Sequence, residues 1–123
     1  MRRQCLTLPD RRAKTQMRSL FDLDGKIAVI TGSSQGIGLA IARGLAEFGA
    51  LIVLNGRREQ PLKDAATDLL KDGLSVEVAA FDVTDAWSAR QGVERIETSI
   101  GSIDILINNA GIQHRSALED FPE

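Results

Sequence analysis

Tyrosine is absent from this 123-residue chain, so no phenol anywhere in it can give or take a proton. Cysteine and histidine occur once each, as Cys5 and His114. A lone cysteine excludes an internal disulfide, and one of each excludes a Cys/His zinc cluster. No apolar run approaches the ~20 residues that a transmembrane helix needs. A dominant charge is lacking too: 15 basic and 17 acidic residues leave −2, which gives no general reason to expect nucleic acid or a membrane as partner. What is present, 43% hydrophobic and 26% charged residues, describes one ordinary α/β-type globular domain rather than a disordered chain.

Charge is unevenly spread. Arg2, Arg3, Arg11, Arg12, Lys14 and Arg18 face only Asp10, so residues 1–18 carry +5 and the remainder −7. Such a start can suggest an organelle presequence, but no amphipathic apolar face accompanies it and Pro9 interrupts it. Cys5-Leu6-Thr7-Leu8 is far too short for the apolar region of a secretory signal. Met17 stands just before Leu20-Phe21-Asp22-Leu23, where the organised pattern begins. Residues 1–18 therefore read as a basic arm, with 1–16 either disordered or an over-long start, and the cytoplasm as the expected compartment.

From residue 19 onward, strands and helices alternate. Lys26-Ile27-Ala28-Val29-Ile30-Thr31, bounded by Gly25 and Gly32, is a short buried strand. Ile37, Ala40, Ile41, Leu45 and Phe48 then recur at helical spacing until Gly49 stops the helix. Ala50-Leu51-Ile52-Val53-Leu54 is a second apolar strand, ending at Asn55-Gly56. A helix over 59–71 follows, with Pro61 in its first turn, Gly73 beyond its end, and Leu62, Ala65, Ala66, Leu69 and Leu70 as its buried stripe. Residues 74–81 give a third strand around Val76, Val78 and Ala80. Thr84 is expected to cap a third helix bearing Val93, Ile96 and Ile100, which Gly101 ends. Ile103-Asp104-Ile105-Leu106-Ile107 is the fourth strand.

Continuous apolar strands alternating with helices imply an α/β fold with a parallel sheet covered on both faces. Right-handed crossovers run from the first strand through the second to the third, and the fourth returns beside the first. The expectation is a Rossmann-like, doubly wound sheet cut short after its fourth strand. Residues 19–123 would then be one cofactor-binding half.

The turn after the first strand, Thr31-Gly32-Ser33-Ser34-Gln35-Gly36-Ile37-Gly38, carries the chemistry. Its glycines permit a tight turn and close backbone approach to a diphosphate, and the following helix start favours an anion. The spacing is Gly-x-x-x-Gly-x-Gly rather than the general Gly-x-Gly-x-x-Gly. No Lys-Ser/Thr pair follows, so a phosphate-cleaving P-loop is excluded.

Together with Asn108-Asn109-Ala110-Gly111 after the fourth strand, this turn resembles the two N-terminal motifs of the short-chain dehydrogenase/reductase family. The resemblance covers about residues 20–123. The run Asn109 to Arg115, followed by Leu118-Glu119-Asp120-Phe121-Pro122, is further similar to the gluconate 5-dehydrogenase (5-keto-D-gluconate reductase) branch.

The resemblance implies specific roles. Gly32, Ser34, Gln35, Gly36, Ile37 and Gly38 would hold the dinucleotide's diphosphate. NAD-binding members usually place an acid after the second strand, to accept from the ribose 2′-hydroxyl. Here that position is Gly56, and Arg57 and Arg58 follow. Glycine leaves room for a 2′-phosphate that Arg57, ahead of Arg58, could grip with bidentate charge-assisted bonds, so NADP is the expected cofactor. The alternative is a solvated basic loop. Asp82 and Val83 match the family's adenine contact, although Asp82 could equally be a plain loop aspartate. Asn109, Ala110 and Gly111 would border the ribose, with Asn109 also stabilising the sheet. Arg115 could meet a sugar-acid carboxylate, whereas His114 reads as an ordinary loop histidine and Trp87 as a packing residue.

In this family a tyrosine transfers the proton, a lysine lowers its pKa and a serine steadies the carbonyl oxygen. The Tyr-x-x-x-Lys pair and that serine find no match, so no catalytic residue is assigned and catalysis by these residues alone is not expected. The fourth strand would expose Ile103, Ile105, Leu106 and Ile107, which predicts a marginal or aggregating polypeptide unless another chain completes it. Relatives are expected to form homo-oligomers through later helices. Two further readings stay open: a non-catalytic nucleotide-binding module or half-enzyme needing a partner chain, and, more weakly, a methyltransferase.

Overall fold

A computed structural model of the chain describes residues 22–110. Strands β1 (Ile27–Ile30), β2 (Leu51–Gly56), β3 (Val76–Ala80) and β4 (Ile105–Ile107) alternate with helices α1 (Gly36–Glu47), α2 (Glu59–Lys71) and α3 (Ala86–Ser99). The strands form one parallel sheet in the order β3-β2-β1-β4. In register, Ala28 stands beside Ile52 and Ile105, and Leu54 beside Val78. The chain thus winds outward through β2 and β3 and returns next to β1, as the alternation of apolar strands and helices requires.

Because side chains alternate along each strand, the sheet has two apolar faces. Ala28, Ile30, Ile52 and Leu54 pack against α1 and α2, through Ala42, Ala46, Leu62, Ala65, Ala66 and Leu69. Val29 and Val53 point the other way, toward Phe81 and Ile96 of α3. Eight strand residues, Ala28 to Ile30 and Ile52 to Asn55 among them, are almost wholly buried, which is why these strands are continuously apolar rather than alternating.

Some sequence expectations require correction. The fully buried line of α1 is Gly38, Ala42 and Ala46; of the residues that set its periodicity, Ile41 and Leu45 pack partly buried against the core, whereas Ala40 is exposed and Ile37 is 73% exposed. Small residues face the sheet because the helix lies close against it. In α2 the expected range holds at both ends, but Leu70 is 56% exposed and leaves the stripe. Thr84 does not cap α3. Asp85 does, its side chain accepting from the Trp87 amide at 3.0 Å, while the Thr84 hydroxyl is directed to Asp82.

At the other end of the fold, the Asp104 carboxylate accepts from the Ile27 amide at 2.9 Å, and the Asp104 amide donates to the Ile27 carbonyl oxygen. This exchange aligns β4 with β1 before their ladder begins. Among the described residues β4 pairs only with β1, and Leu106 is 63% exposed on it. The expected basic arm, and the loop carrying Gly111, Gln113, His114 and Arg115, lie outside the described residues. Among the described residues, no helix is long and apolar enough to cross a membrane.

Candidate functional site

The turn between β1 and α1 is built on buried polar groups. Ser33, fully buried, donates its hydroxyl to the Ile30 carbonyl oxygen at 2.7 Å and accepts the Asn55 amide at 3.0 Å. The Ser33 amide in turn donates to the Asn55 carbonyl oxygen at 2.8 Å. These bonds bend the chain sharply off the end of β1. They leave Ser34, Gln35 and Gly36 to form the outer rim of the turn, with Gly36 at φ +64° where a side chain would be strained.

A second set of bonds fastens this turn to the segment after β4. Thr31 Oγ1 accepts the amides of both Asn109 and Ala110, at 2.8 and 2.9 Å. The Asn109 side chain donates to the Gly32 carbonyl oxygen at 3.1 Å. Gly38 makes this fit possible: a Cβ there would lie 2.6 Å from both Asn109 Nδ2 and the Gly32 oxygen. Asn109 and Gly38 are therefore first of all packing partners beneath the turn.

Above these groups, at the carboxyl ends of the strands, opens a cavity of about 800 Å³. Gly32, Ser34, Gln35 and Gly36 line one side, Gly56, Arg57, Arg58 and Pro61 the next, and Phe81, Asp82, Val83 and Thr84 the third. Asn55, Asn109 and Ala110 contribute to its lining. An open α/β sheet binds ligands in this place, where the connections leave β1 in opposite directions.

The electrostatics of the cavity are mixed by position. Arg57 and Arg58 are exposed, and neither is held in an ion pair among the described residues. Asp82, on the opposite wall, has its carboxyl pKa lowered, chiefly because Oδ1 accepts the Thr84 hydroxyl at 2.6 Å. The Thr84 amide, at 2.9 Å from the same oxygen, adds to this; desolvation opposes it, and the Arg57 charge makes the smallest contribution, also downward. Asp82 is thus an ionised acceptor at neutral pH, held in place by Ser88, whose hydroxyl oxygen accepts its amide at 2.9 Å.

Helix starts reinforce the positive side. Neither α1, entered through Gln35, nor α2, entered through Arg58, has a side-chain cap, whereas α3 is capped by Asp85. The first amides of α1 and α2 consequently remain as donors beside the cavity, where a helix dipole favours an anion.

Ten of the residues singled out from sequence meet at this one cavity: Gly32, Ser34, Gln35, Gly36, Arg57, Arg58, Asp82, Val83, Asn109 and Ala110. Ile37 and Gly38 do not line it; Ile37 projects outward and Gly38 lies under the turn. Gly111 and Arg115 lie outside the described residues. Sequence reasoning passed over Asn55, Ser33, Pro61, Thr84 and Ser88 as parts of the site. For Asn55 a signal existed: an amide closing a strand of four apolar residues must find buried partners. Among the described residues no group of histidine, cysteine, aspartate and glutamate could hold a metal ion.

Residues 26–123 match the family described as short chain dehydrogenase. The chain is 52% identical over 102 residues to gluconate 5-dehydrogenase of Gluconobacter oxydans, covering 83% of this chain and 40% of that protein. It is 44% identical over 107 residues to 5-keto-D-gluconate 5-reductase of Escherichia coli, covering 87% of this chain and 42% of that one. The crystal structure of a gluconate 5-dehydrogenase from Burkholderia cenocepacia, in complex with NADP and tartrate, superposes with a TM-score of 0.79 at 45% identity. That match covers 86% of this chain and 42% of the other. The chain therefore spans about two fifths of the length of the relatives it matches.

Proposed function

This chain belongs to the short-chain dehydrogenase family, and on that footing we propose that residues 19–123 are the cofactor-binding half of an NADP-dependent oxidoreductase of the gluconate 5-dehydrogenase type. The observation that carries the reading is the single cavity shared by the glycine turn, the arginine pair and Asp82. Its volume falls within the ~300–1,000 Å³ usual for ligand sites. The residues fit a phosphorylated dinucleotide: uncapped amides and glycine for the diphosphate, Arg57 with Arg58 for a 2′-phosphate, Asp82 and Val83 for adenine. Asn109, Ala110 and Gly111 would border the ribose, and Arg115 would receive a sugar-acid carboxylate.

Gly56 favours NADP over NAD. A carboxylate at this position would repel a 2′-phosphate, and glycine removes that repulsion. NADP also accompanies the Burkholderia relative in its crystal. When bound, the dinucleotide supplies the nicotinamide that accepts or donates a hydride; the protein's part is to bind, orient and discriminate. The substrate class proposed is a sugar acid such as 5-keto-D-gluconate, in keeping with the names of the relatives.

The absence of tyrosine favours a second reading. Proton transfer of the kind the family performs needs a donor that none of these 123 residues provides, so by themselves these residues would act as a nucleotide-binding module. General acid–base help contributes ~10²–10⁴-fold, too much to be replaced by binding groups alone.

Titration of the purified chain with NADPH, NADH and S-adenosylmethionine tests the first reading. NADPH should bind at least tenfold more tightly than NADH, and S-adenosylmethionine not at all. Equal affinity for the first two, or preference for the third, overturns it. Oxidation of NADPH with 5-ketogluconate separates the second: turnover by these residues alone, near that of a relative such as the Escherichia coli reductase, would overturn it.

A further inference from the structure

The Asn55 side chain touches both walls of the cavity from beneath. It is 1% exposed, and every polar group it has is engaged. Toward the glycine turn, its backbone exchanges bonds with Ser33, and Oδ1 accepts the Gly32 amide at 3.4 Å. Toward the far wall, Nδ2 donates to the Ala79 and Phe81 carbonyl oxygens at 3.1 and 3.2 Å. The second of these carbonyls immediately precedes Asp82. No other natural side chain of this size accepts on one side and donates twice on the other.

We propose that Asn55 is a positioning residue that fixes the glycine turn at a set distance from Asp82, so that the two ends of one dinucleotide meet both walls at once. The inference rests on the dinucleotide reading above. One corollary concerns Gly32. Its amide is already taken by Asn55 and its carbonyl by Asn109, and its missing side chain makes room for Ala110, whose Cα would lie 2.9 Å from a Cβ there, so binding falls to the amides at the start of α1.

The test compares two probes on Asn55→Ser and on the unaltered chain. NADPH spans both walls; adenosine 2′-monophosphate, which has no 5′-phosphate for the glycine turn, reaches only the Arg57 and Asp82 side. With the tether removed, NADPH should weaken tenfold or more while the monophosphate changes less than threefold. A purely structural role would lower the folded fraction and shift both probes equally, and that result, or no change in either, overturns the proposal. If the unaltered chain binds neither probe, the dinucleotide reading fails and takes this one with it. Should Asn55→Ser not fold, amide exchange on the unaltered chain decides. The Gly32 amide should be protected without ligand and little changed by NADPH, while the amide of Gly36, which lines the cavity at the start of α1, gains protection only on binding. Free exchange at Gly32 in the absence of ligand overturns the proposal.

Discussion

Thr31 and Asn109 are joined at 2.8 Å, the threonine hydroxyl oxygen receiving the asparagine amide across 78 residues of chain. The same oxygen also receives the Ala110 amide at 2.9 Å. One hydroxyl thus anchors the segment after β4 to the head of β1 and, through the Asn109 side chain, to the Gly32 carbonyl.

Replacing Thr31 by valine keeps the shape and strips both amides of their acceptor. Unfolding in urea should show a loss of about 2 kcal/mol, since each unsatisfied, partly buried amide costs ~1–3 kcal/mol less what water recovers. Thr31→Ser restores the oxygen and should recover most of that loss.

Arg57→Ala should weaken NADPH by roughly ten- to a hundredfold, the span expected for a charge-assisted bond to phosphate, and leave NADH within about twofold. Calorimetric titration of both cofactors measures the difference. The NADPH preference should also fall with added salt, because the guanidinium is exposed. An intact preference in Arg57→Ala would move the role to Arg58.

Gly56→Asp should invert the choice of cofactor. The nearest atoms to a Cβ at this position belong to Leu62, at 3.4 Å or more, an ordinary van der Waals distance, so the fold admits the side chain. The new carboxylate would accept from a ribose 2′-hydroxyl and repel a 2′-phosphate, so NADPH should lose at least tenfold while NADH holds or gains. The same paired titrations read it.

Asp82 gives a pH dependence whose sign follows from its lowered pKa. The folded state favours the carboxylate, so its contribution to stability is complete above the pKa of an unfolded aspartate, ~4, and is lost as pH falls through the lower folded value. Thr84→Val removes the leading cause and should raise the Asp82 pKa, seen by carbon NMR of its carboxyl. The acid limb of the unfolding curve should move to higher pH with it.

Much of this architecture could be read from residues alone. Helix α2 is framed by Pro61 and Gly73, strong local signals that tertiary packing does not override, and its expected limits hold. The strand order follows from apolar runs too uniform for a one-sided sheet. Local pattern misled where packing distance decides. In α1 the spacing includes Ile37, which is exposed, and the helix approaches the sheet through Gly38, Ala42 and Ala46, with Ile41 and Leu45 packed partly buried beside them. At α3, Thr84 and Asp85 are equally good caps by residue type, and the choice was made by Asp82, which claims the threonine hydroxyl. The Asn55–Ser33 bonds were hidden for a different reason: they join groups 22 residues apart, and nothing periodic marks them.

The bare starts of α1 and α2 have a cost. A missing N-terminal cap forgoes about 1 kcal/mol per helix, a sizeable part of the margin by which a small domain stays folded. An anion seated there would return it, so melting temperature should climb with the logarithm of dinucleotide concentration. Inside a cell, the supply of nucleotide would then govern how much of this polypeptide survives proteolysis, as well as how much of it is loaded.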